Sequence, residues 1–210
     1  MIERRQLLLG ATALGAAALA AAPSGGWAQG SVLDPTAAEQ EAYVRALRTP
    51  GHALLLRHTL APGHGDPADF DVSNCSTQRN LSAEGRAQAV KVGAWLKARG
   101  VRPAQVHSSP WCRCLETARL MDLAPVVVEP GLRSFAQQLS PKGKTMAALR
   151  RFIAESAGNA DPMILVGHSS TFAELLGGLL GSGEGMVVRL REDGQVNRVG
   201  RVLFGMERVG

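Results

Sequence analysis

The stretch LLLRHT at residues 54–59 decides the fold, because a short apolar run ends abruptly in an arginine and a histidine. An apolar run of this length, bounded by polar residues, is typical of a buried strand. In open α/β sheets, ligand sites gather at strand ends, where side chains leave the core and meet the crevice. Arg57 and His58 are therefore candidate site residues at the end of a first strand.

Two later stretches bring the same residue types to similar junctions. SSPWCRCLETA at residues 108–118 places Arg113 near the start of a predicted helix, and ILVGHS at residues 164–169 places His168 at the end of another apolar strand. Guanidinium groups are planar, stay charged and grip phosphate oxygens bidentately. Two arginines and two histidines at such junctions therefore predict a site for a tetrahedral oxyanion.

These junctions and their flanking blocks resemble the histidine phosphatase superfamily, the phosphoglycerate-mutase-like enzymes. Arg57-His58 is similar to the family's Arg-His-Gly signature, with Thr59 where glycine is usual. The family's other blocks are matched in order by QRNLS at 78–82, GRAQA at 85–89, the stretch at 108–118 and GH at 167–168. The resemblance covers nearly all of residues 53–205, and its CSTQRNL segment is similar to a small exported branch rather than to the glycolytic mutases.

The resemblance implies a phosphohistidine on His58 and an oxyanion pocket formed by Arg57, Arg113 and His168. Elementary chemistry agrees, because a neutral imidazole is nucleophilic near pH 7 without losing a proton. No metal or other cofactor is expected, since the arginines can neutralise the phosphate charge. The predicted enzyme is a metal-independent phosphoric monoester hydrolase.

Three further residues are predicted to contact the substrate. Thr59 lies beside the first histidine, Ser169 lies beside the second, and Asn80 belongs to the QRNLS block. The competing interpretation of Asn80 is that it holds the turn before a helix capped by Ser82.

The proton donor is the weakest part of the pattern. Many mutase-like relatives carry a glutamate after Leu-Arg, but Ser134 follows Leu132-Arg133 here. Ser169 likewise stands where the acid phosphatase branch carries an aspartate after its second histidine. Glu184, in GEG just before a predicted hairpin strand, is the best remaining catalytic acid, and the alternative is a solvated turn glutamate.

Other functions compete with a phosphomonoesterase. GHSST at residues 167–171 nearly matches the nucleophile elbow of α/β-hydrolases, but no histidine follows Ser169 to complete that triad. A phosphohistidine-protein phosphatase fits the domain size, and a non-catalytic phosphate- or sugar-phosphate-binding module is the alternative of another class. Mutase activity is disfavoured, because the connection between residues 128 and 145 is short for a capping insertion.

The N-terminus predicts export. Arg4-Arg5 precedes an apolar region at residues 7–22, and small residues at 26–28 offer a cleavage point. This pattern predicts a signal peptide at residues 1–28, of the twin-arginine type, with an ordinary secretory signal as the alternative. The remaining residues 29–210 are predicted to form a single histidine-phosphatase-like domain that is periplasmic or secreted and has no stable membrane anchor.

Composition limits the partners. The chain has 45% hydrophobic residues, 20% charged residues and a formal net charge of +5, which suits a globular protein with an anionic substrate. Aromatic residues make up only 4% and no basic run is present, so nucleic acid is not expected. The predicted partner is a phosphorylated small molecule, glycan or protein, and the sequence does not indicate an oligomeric state.

The three cysteines allow one disulfide in an oxidising compartment. Cys112 and Cys114 lie two apart on one predicted helix and point to different sides, so they are poor partners for each other. Cys75 can pair with either of them, and a free buried thiol is the alternative for each.

Strands alternating with helices predict an α/β fold, a three-layer α/β/α sandwich. Its sheet is expected to be mostly parallel and doubly wound, with an antiparallel edge hairpin around Asp193-Gly194. The inward face of the second helix is predicted to hold Ala87, Val90, Ala94 and Leu96. Strands are predicted at residues 53–56, 105–107, 126–128, 163–166, 186–190 and 198–204, and helices at 35–48, 82–99, 109–123, 145–156 and 171–180.

Overall fold

The computed structural model describes residues 34–136 and 141–206. The signal peptide predicted for residues 1–28 lies outside the described residues. Within them, no helix is both long and apolar enough to cross a membrane. The first described element is the helix α1 (Ala37–Leu47), which Thr36 begins with a capping box to Glu39.

Six strands of the described residues form one sheet. Their order in the sheet is β3-β2-β4-β1-β5-β6. The first four strands in that order run parallel, and the last two add an antiparallel hairpin. The mostly parallel sheet with an antiparallel edge is therefore confirmed. In chain order the strands are β1 (His52–Arg57), β2 (Val106–Ser108), β3 (Val126–Val128), β4 (Met163–Gly167), β5 (Gly185–Leu190) and β6 (Val196–Val202).

Helices cover both faces of the sheet, which confirms the three-layer architecture. Along β1, Leu54 and Leu56 join one apolar cluster, whereas Ala53 and Leu55 join the other. A strand buried on both faces explains the continuous apolar run in the sequence. One cluster packs α1, α2 (Ala83–Ala98) and α3 (Cys112–Met121), and the other packs α4 (Lys142–Ser156) and α5 (Ser169–Leu176).

The predicted inward face of α2 is wrong. Of the four positions expected inside, only Leu96 is buried, and Val90 is 51% exposed. The true inner face includes Gly85 and Gly93, because neighbouring backbone passes very close to the helix there. A Cβ on Gly93 would lie 2.0 Å from the carbonyl oxygen of Met121, so only glycine allows this approach.

The third strand is also less buried than its three valines indicate. β3 hydrogen-bonds to β2 alone and forms the edge of the sheet. Val127 and Val128 are consequently exposed. An apolar triplet fits an edge strand as well as an interior one, so the sequence pattern does not separate the two.

The register of the parallel strands brings the predicted site residues to one edge. Arg57 pairs with Gly167, and Ser108 pairs with Val166. The segments that follow β1, β2 and β4 therefore leave the sheet side by side. This edge is the crevice in which ligand sites of open α/β sheets form.

Candidate active site

His58 is the first residue beyond β1 and is almost fully buried. Its Nδ1–H donates to its neighbour's backbone, the carbonyl of Thr59, at 2.8 Å. A carbonyl only accepts, so Nδ1 carries the proton and Nε2 carries the lone pair. Burial holds the pKa of His58 well below its usual range, and the positive charge of Arg113 lowers it further. The ring is therefore neutral near pH 7, as a nucleophile requires.

His168 faces His58 edge to face, with the ring centroids 5.7 Å apart. An Nη2 of Arg113 lies 3.5 Å from its Nδ1, and its Nε2 lies 2.9 Å from the hydroxyl of Ser109. Because a guanidinium only donates, Nδ1 carries the lone pair and Nε2 carries the proton. Burial, followed by the charge of Arg113, lowers the pKa of His168 well below its usual range.

The third helix, predicted to begin at residue 109, begins at Cys112 instead, and Ser109 does not cap it. The cap position is Trp111, and the hydroxyl of Ser109 is engaged by His168 instead. The first backbone N–H of the helix, at Cys112, donates to the side-chain oxygen of Gln78 at 3.0 Å. A distant side chain satisfies the helix end, so the local sequence signal for a cap misleads.

Arg113 projects from the first turn of α3 and forms a buried ion pair with Asp66. The distance from Nη1 to Oδ1 is 2.8 Å, and the two side chains are 4% and 0% exposed. The same Asp66 oxygen accepts the backbone N–H of Arg79 at 2.9 Å, and its other oxygen accepts the indole N–H of Trp111 at 3.1 Å. Composition predicts a loop around Asp66 but does not indicate which of its acids is buried.

Arg79 is a third arginine of the site that the sequence patterns did not single out. Its charge contributes to the lowered pKa of both His58 and His168, which places it near the two rings. Its guanidinium donates to the backbone carbonyls of Ala61 and Gly65. The feature of the sequence that could have identified Arg79 was its position inside the QRNLS block.

Unpaired guanidinium nitrogens mark the pocket. Arg57 donates from Nη1 to the carbonyl of Leu180 at 2.9 Å. In the described part of the chain, the buried side-chain nitrogen and oxygen atoms without a hydrogen-bond partner are the Nε atoms of Arg57, Arg113 and Arg133. Buried polar groups are rarely left unpaired, and the first two of these belong to the predicted oxyanion pocket.

The three residues predicted to contact the substrate make hydrogen bonds within the protein. The Thr59 hydroxyl lies 3.0 Å from the hydroxyl of Thr117 on α3. Ser169 donates to the carbonyl of Leu180 and accepts its N–H, which fixes the segment after α5. Asn80 donates to two backbone carbonyls, at Cys75 and Gln78, which favours its interpretation as a turn residue.

Glu184 is buried rather than solvated, being 5% exposed. Its Oε2 accepts from Nη1 of Arg201 and from the backbone N–H of Gly181, both at 2.9 Å. Its Oε2 is thus engaged by a cation and by an N–H of its own turn. The geometry therefore argues against Glu184 as the proton donor and for a role in holding this turn against β6.

The disulfide joins Cys75 to Cys112, with a Cα–Cα distance of 5.6 Å. It ties the segment that carries Arg79 to the start of α3, next to Arg113. Cys114 stays free and buried, 3.5 Å from Nε2 of His168, and burial raises the pKa of its thiol to about 12. This thiol is therefore uncharged at neutral pH and is not a nucleophile.

The described residues contain no group of three or more His, Cys, Asp or Glu side chains with metal-ligand geometry. Fold and site together define an α/β protein with a cluster of arginines and histidines at the carboxyl edge of its sheet. The model of the histidine phosphatase superfamily (branch 1) matches residues 54–138. The resemblance to that superfamily, seen in the sequence blocks, is thereby confirmed.

Solved structures show the same fold. The protein histidine phosphatase SixA complexed with tungstate is 20% identical, with a TM-score of 0.51 over 72% of this chain and 96% of SixA. A mycobacterial glucosyl-3-phosphoglycerate phosphatase complexed with VO3 is also 20% identical, with a TM-score of 0.50 over 70% of this chain and 96% of that one. No curated protein matches the sequence significantly. At these identities the structures establish a shared fold.

Proposed function

We propose that this protein is a phosphomonoesterase that works through a phosphohistidine on His58. The observation that carries the proposal is a buried, neutral His58 with its lone pair on Nε2, whose ring faces that of His168 and whose pKa is lowered by the charges of Arg113 and Arg57 as well as by burial. The oxyanions held by the two similar structures, tungstate and VO3, support an oxyanion ligand for this pocket as well. Arg79 adds positive charge at the same edge.

In the first step, Nε2 of His58 attacks phosphorus as the bond to the leaving oxygen breaks, and that oxygen departs with the bonding electron pair and takes a proton from solvent. Arg57 and Arg113 neutralise charge on the three non-bridging oxygens, which is the largest contribution the protein can make to such a transfer. In the second step, water attacks the phosphohistidine, inorganic phosphate leaves, and His58 is restored with its lone pair on Nε2.

His168 has a second role in this scheme. It is neutral without a ligand, because burial and the neighbouring arginines disfavour its charged form. A phosphate dianion in the pocket offsets that repulsion and favours protonation of His168. The ring then becomes a donor to a phosphate oxygen, so the pocket gains a cation only when the substrate is present.

The test uses the mature protein at residues 29–210 with p-nitrophenyl phosphate and a chelator. We expect turnover, and we expect His58→Ala to abolish it while the circular dichroism spectrum is retained. His64→Ala, at an exposed histidine, is the matched control and should behave as the wild type. Full activity of His58→Ala, or complete dependence on a divalent ion, would sink the phosphohistidine mechanism, and phosphate binding without turnover would leave a binding module.

A phosphohistidine-protein phosphatase is the second candidate, and the pairing of the acids favours it. Asp66 and Glu184 are both paired with arginines, and Ser134 occupies the position of the usual family acid. An imidazole leaves phosphorus more readily than an alkoxide, so a P–N bond needs less help from an acid. A higher kcat/KM on a phosphohistidine peptide than on alkyl phosphates would favour this candidate, and the reverse order would exclude it.

Export is also part of the proposal. We infer that residues 1–28 direct the precursor across the membrane by the twin-arginine route to the periplasm or the outside. Arg4-Arg5→Lys-Lys keeps the charge and removes the arginine pair that this route reads. Retention of the variant in the cytoplasm is expected, and normal export would indicate the ordinary secretory route.

A further inference from the structure

The loop between β1 and α2 contributes to the site through one buried acid. We propose that Asp66 is a positioning residue that holds Arg113 in the orientation that receives phosphate. The inference rests on the proposed function, since it assigns Arg113 to the phosphate pocket. It is carried by the contacts of a carboxylate whose side chain has no exposed surface.

Three donors from two separate segments converge on this carboxylate. Arg113 gives its Nη1, Trp111 gives its indole N–H, and Arg79 gives its backbone N–H, at 2.8, 3.1 and 2.9 Å. The first two donors belong to the start of α3, and the third follows the disulfide-linked segment. Asp66 therefore links the beginning of α3 to the segment that carries Arg79.

The contact divides the guanidinium of Arg113 into two parts. Nη1 is committed to Asp66, whereas Nη2 lies 3.5 Å from His168 and Nε has no partner. The edge that remains is the one that can meet an oxyanion. A carboxylate that does not touch the ligand but fixes a ligand-binding side chain in this way is common where geometry matters.

Charge gives a second reason for the pairing. Arg57, Arg79 and Arg113 all raise the positive potential at the two histidines. Without an anion nearby, Arg113 would be repelled by the other two guanidinium groups and by any protonated ring. Asp66 offsets this repulsion in the absence of substrate, so the arginine is in place before the phosphate arrives.

Asp66 is unsuited to the role of proton donor. Both carboxylate oxygens accept hydrogen bonds, and one of these comes from a buried cation. Both oxygens are therefore engaged by donors of the protein itself. The same contacts suit an acid that acts through Arg113 and does not touch the substrate.

The positioning role predicts a split between catalysis and binding in Asp66→Asn. The variant keeps the size of the side chain and loses its charge, so Arg113 is less well oriented. Small misplacement of a substrate-positioning group costs up to about 100-fold in rate, and we expect kcat to fall about 10- to 100-fold. Affinity for inorganic phosphate should be unchanged or higher, because the pocket gains one net positive charge.

The test measures kcat with p-nitrophenyl phosphate, the dissociation constant for inorganic phosphate, and thermal unfolding. Asp71→Asn is the matched control, since it changes an exposed acid of the same loop whose carboxylate accepts hydrogen bonds from Ser73 of that loop. In an Arg113→Met background, Asp66→Asn should lower the residual rate less than twofold, because the positioned group is already gone.

Several outcomes would overturn the inference. These are a wild-type kcat in Asp66→Asn, a parallel loss of phosphate affinity, or a full extra loss of rate in the Arg113→Met background. If Asp66→Asn does not fold, Asp66→Glu is measured in its place. If neither variant folds, Asp66 is a folding residue and the inference is wrong. Failure of the proposed function is distinguishable, because the wild-type protein itself would then show no turnover.

Discussion

Two arginine–carboxylate pairs of the same chemistry lie in two regions of this molecule, and both adjoin the proposed phosphate pocket. Arg113 is one of the pocket arginines, and the backbone N–H of Arg57 donates to the carbonyl of Glu184 at 3.1 Å. Arg113–Asp66 is at the carboxyl edge of the sheet, with side chains 4% and 0% exposed, whereas Arg201–Glu184 joins β6 to the turn before β5 and is 21% and 7% exposed. In the first pair the arginine also meets a pocket histidine. Within the described residues, the arginine of the second pair contacts the backbone carbonyl of Leu179 besides its acid. Burial alone therefore does not identify a functional acid. The other contacts of the arginine with which the acid pairs are the more informative feature.

The comparison also separates activity from stability. Replacing one member of a buried pair leaves an uncompensated charge, which is costly whether or not the pair serves catalysis. A loss of folding stability is therefore expected at both pairs. A loss of turnover beyond that is expected only where the arginine faces the phosphate.

The largest effect is expected from Arg113→Met. Turnover of p-nitrophenyl phosphate should fall about 10²–10³-fold, because one oxyanion donor is lost. The free energy of unfolding should fall by about 3–5 kcal/mol, because buried Asp66 loses the cation of its ion pair. Arg201→Met is the matched variant, with a stability loss of about 1–3 kcal/mol and activity within threefold of the wild type. Urea unfolding and steady-state kinetics measure both, and equal activity losses would remove the distinction between the two pairs.

The pocket region was predictable because its residues follow strands. Arg57, His58 and His168 end apolar runs, and parallel strands bring their carboxyl ends to one edge whatever the details of packing. Arg113 was found the same way, at the start of a helix after a strand. The positions of these residues depend on local sequence pattern and on strand topology, and both can be inferred from the sequence.

The partners of those residues were not predictable. The pairing of Asp66 with Arg113 depends on how a long irregular loop folds back, and no periodic signal governs that. The pairing of Glu184 with Arg201 depends on the hairpin register, which includes a shift between Val187 and Val188. The prediction of the inward face of α2 was wrong for a related reason. Close packing there requires glycines, and a pattern of apolar residues does not include them.

A second difference between the two regions is their response to pH. The native pKa values of His58 and His168 are lowered by burial and by Arg113, whereas in the unfolded chain each is about 6.5. Below pH 6.5 the unfolded state therefore binds protons that the native state does not bind. Stability is fully present above pH 6.5 and is lost as the pH falls toward the lowered native values, by at most about 1.4 kcal/mol per pH unit for each ring.

Urea unfolding at pH 7.5, 6.5 and 5.5 measures this loss. His168→Asn should reduce the pH dependence, and His64→Ala, at an exposed loop histidine, should leave it unchanged. Inorganic phosphate should also reduce it, because a bound anion favours protonation of the native rings. A wild-type stability that is flat between pH 6.5 and 5.5 would contradict the buried neutral histidines.

The smallest effect is expected from Glu184→Gln, and it decides between two roles for this acid. As an ion-pair partner of Arg201, Glu184 should matter little to chemistry, so kcat should fall less than threefold on glycerol phosphate and on p-nitrophenyl phosphate alike. As a general acid it would contribute about 10²–10⁴-fold, and only on glycerol phosphate, because an alkoxide needs the proton and p-nitrophenolate leaves largely unaided. The ratio of the two kcat losses is therefore the measurement. A ratio near one fits the contacts with Arg201 and Gly181, whereas a ratio above about 100 would restore Glu184 as the proton donor.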